Sequence, residues 1–64
     1  MTLDEAVDAF HTNPNPDTAR NLSNTATEYF RDGMIEFDTA NKYLNEVDYY
    51  LMTDVFPKLA EHLK

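Results

Sequence analysis

Apolar residues along this chain fall into four stretches, and each repeats with the spacing of one helix face. Leu3, Val7 and Phe10 form the first, with Ala6 beside them. Ala19, Leu22, Ala26, Tyr29 and Phe30 form the second. Phe37, Ala40, Leu44, Val47 and Leu51 form a heptad seam flanked on one edge by Tyr43 and Tyr50. The seam covers only about two heptads, too few for an independent coiled coil. Phe56, Leu59, Ala60 and Leu63 form the fourth. No segment alternates with the period of a strand. The pattern therefore predicts an all-α protein, a small three-helix bundle with a short fourth helix or a kinked C-terminal segment.

The polar residues between these stretches set the helix ends. Thr2 and Glu5 form the T-x-x-E capping box, and Asp4 and Glu5 suit the positive end of a helix dipole. The stretch TNPNPD, Thr12 to Asp17, breaks the first helix, because Pro14 disfavours helical backbone before it. It also starts the second, with Asn15 as cap, Pro16 at the first helical position and Asp17 in the first turn. Gly33, the one glycine, can take the left-handed conformation that closes a helix. Pro57 leaves two readings: a kink in helix 3, or an end near Thr53 with a new helix capped by Asp54. The predicted helices span about residues 3–11, 16–31, 37–53 and 55–63 of a single 64-residue domain.

NEVDYYLMTDVF, Asn45 to Phe56, is too apolar for one face. Val47 and Leu51 continue the seam and Tyr50 widens it, while Tyr49, Met52 and Phe56 fall on the far side. One reading makes helix 3 the centre of the bundle, packed on both sides. The other leaves Tyr49, Met52 and Phe56 as an exposed patch ringed by Glu46, Asp48 and Asp54, of the kind enriched at interface cores. A chain this short buries only about 60% of its unfolded surface, which leaves little core for so many large residues.

Charge narrows the choice of partners. Twelve Asp and Glu against five Lys and Arg give a formal net charge of -7, which disfavours direct contact with nucleic acid or an anionic membrane. Some carboxylates have local partners by spacing: Asp38–Lys42–Glu46, Glu28–Arg31 and Asp17–Arg20. Asp4, Glu5, Asp8, Asp32, Glu36, Asp48 and Asp54 have none by this reading. Carboxylates four apart on a helix rise by about 6 Å, comparable to successive phosphates on a nucleic-acid strand. A surface so spaced could occupy a basic groove meant for DNA or RNA.

Catalytic and metal chemistry find little footing. There is no cysteine, Ser23 is the one serine, and His11 and His62 sit near helix ends, where a cation interacts well with the dipole. Asp8 and His11 could share a face, but a structural metal site usually needs four ligands and a second pair is not visible. One glycine excludes a phosphate-cradling loop. No leader with a cationic start and apolar run is visible, and no apolar run approaches the ~20 residues of a membrane span, so a cytoplasmic location is the expectation.

The stretch YFRDGMIEFDTANKYL, Tyr29 to Leu44, resembles the SHOCT-type short hairpin, in which a helix meets a Gly, an apolar pair and a second helix. The likeness covers roughly residues 22–47, rests mainly on Gly33, Ile35 and their spacing, and lacks the lysine-rich second helix of that pattern. No function is carried over from it.

The functional expectation is a small non-catalytic protein without cofactor or metal that binds a partner with a basic surface. Its candidate contacts are Asp4, Glu5, Asp8, Asp32, Glu36, Asp48 and Asp54, with Tyr49, Met52 and Phe56 as apolar anchors. The sharper form is an inhibitor of a nucleic-acid enzyme that acts as a DNA mimic, a style met among phage products. The rival is a structural hairpin module that oligomerises or serves as a small subunit of an assembly.

Overall fold

The computed structural model describes the backbone of residues 2–62 and the side chains of 2–61. Helices α1 (Leu3–Thr12), α2 (Pro16–Arg31) and α3 (Phe37–Tyr50) are followed, without a break, by a π turn at Leu51–Val55 and by α4 (Phe56–His62). No strand occurs among the described residues. Leu63, assigned by spacing to the last apolar face, lies outside the described residues.

The caps follow the local sequence. The Thr2 hydroxyl accepts from the Glu5 N–H at 3.3 Å, and the Glu5 carboxylate accepts from the Thr2 N–H at 3.2 Å and from its hydroxyl at 3.0 Å. At α2, Asn15 Oδ1 accepts from the Thr18 N–H at 2.9 Å and Thr18 Oγ1 accepts from the Asn15 N–H at 3.0 Å. This is a capping box with Thr where Glu or Gln is usual. Helix α2 ends in a Schellman turn: Gly33, at φ 77°, donates to Phe30 O and Met34 donates to Tyr29 O. The chain therefore reverses within five residues, and α2 and α3 run antiparallel.

Helix α2 is the central helix, making the main contacts with both α1 and α3. This corrects the expectation that α3 sits in the middle. Residue size gives the reason. The buried apolar side chains are Leu3, Ala6 and Phe10 from α1, Ala19, Leu22 and Ala26 from α2, and Ala40 and Val47 from α3. Half are alanines, so the helices approach closely and one helix layer closes the core. Leu22 is fully buried, worth roughly 1.5–3 kcal/mol. Thr25 is buried on the same stripe, three residues after Leu22, although its hydroxyl kept it out of the apolar pattern. Phe37, which begins the predicted seam, is exposed instead, as is Phe30; the two rings meet edge to face at 5.9 Å over the hairpin turn.

The long helix outruns its neighbours. Leu51 lies in a groove with Pro16 and Ala19 of α2's first turns, so residues after it extend past the bundle. A continuous helix over residues 37–62 is about 39 Å long at 1.5 Å per residue, close to the 44 Å longest dimension of the molecule. Helix α4 continues the π turn before it, and among the described residues its contacts are mainly with that turn rather than with α1 or α2. Pro57 thus neither starts a separately capped helix nor ends one. The wide turn precedes it, where the proline ring would otherwise press on the carbonyl one turn back. The Thr53 hydroxyl donates to Tyr49 O at 2.7 Å as the ladder changes register.

Candidate functional site

Nine of the ten predicted contact residues separate into three places, and Asp48 stands between them. Asp4 lines a shallow hollow with Thr2, Leu3, Tyr29, Met34 and Ile35. The start of α1 therefore rests against the hairpin turn, and Asp32 and Glu36 flank Met34 and Ile35 in that turn. Asp4, Glu5, Asp32 and Glu36 occupy one end of the bundle, all exposed, with Asp8 one turn along α1 from Asp4. Hydrogen bonds from the Thr2 hydroxyl and N–H lower the pKa of the Glu5 carboxyl below its ordinary value.

The second place is a groove of about 570 Å³ lined by Phe10, His11 and Pro14 on one side and Asn45, Glu46, Tyr49, Tyr50 and Thr53 on the other. Its walls are mostly apolar, and Phe10 meets Tyr50 edge to face at 5.4 Å. Tyr49 borders it at 72% exposure. Glu46 Oε2 is buried, makes no hydrogen bond, and has His11 Nε2 at 3.5 Å. His11 thus ties the last turn of α1 to α3 through a carboxylate that spacing alone had assigned to Lys42.

The third place is the overhanging arm. Met52 is 59% and Phe56 49% exposed, and neither lines the groove that Tyr49 borders. Of the three predicted anchors, all exposed on the one long helix, Tyr49 alone lines the groove. Asp54, expected to be unpaired or to cap a helix, accepts from Lys58 Nζ at 3.1 Å. The i,i+4 spacing carried that signal in the sequence, masked by the proline between the two residues. Asp48 is exposed on α3 between the acidic end and the arm.

Among the described residues Asp54–Lys58 is the one Lys or Arg ion pair, and His11 lies beside Glu46. The pairs expected from spacing at Asp38–Lys42, Lys42–Glu46, Glu28–Arg31 and Asp17–Arg20 are not closed, and Lys42 Nζ instead sits 5.9 Å from the Tyr43 ring centre. No three His, Asp or Glu side chains among the described residues converge on a position able to hold a metal ion. No described helix is long and apolar enough to cross a membrane. No family model matches the chain, and no curated protein or solved structure matches it either.

Proposed function

We propose that this is a small non-catalytic binding protein that docks its acidic end on a basic protein surface. In its sharper form it is an inhibitor that occupies a surface built to hold DNA or RNA. One observation carries the reading. Asp4, Glu5, Asp8, Asp32 and Glu36 stand exposed at one end of the bundle, and none of them pairs with a cation among the described residues. Carboxylates held on a rigid helix and a capped turn lose little freedom on binding, so their attraction to a basic groove is little offset by ordering. Tyr49, Met52 and Phe56 lie toward the other end and act as apolar contacts only for a partner long enough to span both.

The test is affinity capture on immobilised protein from a nuclease-treated lysate, with salt elution and a parallel elution by free duplex DNA. The expected result is a basic nucleic-acid-handling protein released by moderate salt and by DNA, and lost when Asp4→Asn, Asp8→Asn and Asp32→Asn are combined. Retention that ignores salt, DNA and these substitutions would rule the decoy out. A second reading, a hairpin module that oligomerises or serves as a small subunit of an assembly, draws on the arm, whose apolar residues stand outside the bundle.

A further inference from the structure

The groove between α1 and α3 has one feature that its apolar walls do not explain. Glu46 Oε2 is buried and makes no hydrogen bond. Its 3.5 Å to His11 Nε2 is longer than the about 2.7–3.2 Å of a formed N–H···O bond. A buried carboxylate oxygen without a donor is costly, and a cation brought into the groove relieves that cost. The Glu46 side chain keeps 37% exposure and lines the groove, so a ligand seated there reaches the carboxylate.

The walls around it are aromatic. Tyr49 is largely exposed, and Phe10 and Tyr50 meet edge to face. Ring faces carry negative potential and attract cations. Among the described residues none of the lining side chains is Lys or Arg, and the net charge of -7 adds attraction at long range. Charge therefore selects a cation, and the apolar walls select one that is flat and weakly hydrated.

We infer that the groove takes an arginine side chain of a partner protein, its guanidinium stacked on Tyr49 and donating to the Glu46 carboxylate. A planar guanidinium offers a carboxylate paired donors, stacks on aromatic faces and is less strongly hydrated than the lysine ammonium. Its methylene stem lies along Phe10 and Pro14. The inference rests on the proposed reading of a basic partner and names one contact within it. Arginine is a favoured residue on surfaces that grip phosphates. From Asp4 to His11, α1 rises about 10 Å, so a partner that holds the acidic end reaches the groove within an interface of ordinary size.

Short capped peptides test this without the partner. Each is neutral apart from one central residue, which is arginine, lysine or citrulline; citrulline keeps the shape of arginine and loses its charge. Titrations are followed residue by residue by NMR. The arginine peptide is expected to move the ring signals of Phe10, Tyr49 and Tyr50 and the carboxyl signal of Glu46. The lysine peptide should bind several-fold more weakly, and the citrulline peptide weaker by on the order of tenfold. E46Q keeps the side chain's shape and should weaken the arginine peptide on the order of tenfold. Tyr49→Ala should weaken it roughly threefold. Helical circular dichroism checks that both variants fold, and the peptide series on the parent protein needs neither. Citrulline or lysine binding as tightly as arginine would overturn the inference, as would an arginine peptide that leaves the groove signals unmoved. Capture of a basic protein with no peptide binding removes the groove contact alone. Peptide binding with failed capture upholds the groove and counts against the acidic end.

Discussion

The acidic end and the arm are both surface, but they are surface for different reasons. At the acidic end the backbone is fully used: a capping box closes the start of α1, a Schellman turn closes α2, and Tyr29 and Ile35 pack against the core beside the carboxylates. Apart from Glu5, whose carboxylate completes the capping box, the charges stand on a frame that does not need them. On the arm the backbone is helical but no described element lies beneath, and Met52, Phe56 and Leu59 are exposed because α2 begins at Pro16 and α1 ends at Thr12. The first region is finished as a monomer. The second has the stripe of a helix that expects another helix. The lesson is that exposure alone does not mark a binding surface; what matters is whether the pattern beneath the exposed residues has been satisfied.

The largest expected effect contrasts the two regions in stability. Leu22→Ala removes a fully buried side chain and should cost about 2–5 kcal/mol, a large share of the roughly 3–10 kcal/mol that a chain of this size holds. Leu59→Ala on the arm should cost under about 1 kcal/mol for the monomer. Denaturant melts at low protein concentration measure both, and equal losses would mean that the arm is packed in a way its exposure denies.

The next effect concerns partners. Asp4→Asn with Asp8→Asn should weaken binding to a basic partner on the order of tenfold at low salt. Phe56→Ala should leave that binding within about twofold, since it sits at the other end of the long axis. Titration calorimetry against the captured partner separates the two. A reversed order would place the contact on the arm.

Caps give a smaller effect that again favours the finished region. Asn15→Ala removes the acceptor for the Thr18 N–H and should cost about 1 kcal/mol. Amide exchange should show the loss across α2, with the arm already exchanging faster than α2 in the parent protein.

The smallest effect is one of pH. Hydrogen bonds from Thr2 hold Glu5 below its ordinary pKa, so the folded value lies under the unfolded one. The contribution is fully present above the unfolded value and is lost as pH falls through the folded one. Thr2→Ala removes the hydroxyl donor but keeps the N–H, so the Glu5 titration should move up toward the ordinary carboxylate range, as followed by the NMR shift of its side chain. An unchanged midpoint would mean that the capping box does not hold in solution.

Much of this protein was set by the chain alone. Local rules gave the helices and their ends: Thr2 with Glu5, Asn15 with Pro16, and Gly33 at positive φ are decided within a few residues, where propensity and capping act. The all-α class followed from the same periodicity. Tertiary structure decided what periodicity cannot carry. Which helix is central depended on the small side chains of α2 set against the others, a relation between distant stripes. Whether Pro57 breaks or bends the helix depended on a π turn that reconciles its ring with a continuing ladder. Phe37 and Phe30 fell outside although they lay on apolar stripes, because an alanine-rich core had no volume for them. His11 and Glu46 met across two helices, beyond the reach of any spacing rule. The sequence determined the pieces, because their causes are local; only packing determined which apolar faces were covered, because a face is buried by whatever lies opposite, and for the arm the described residues supply nothing.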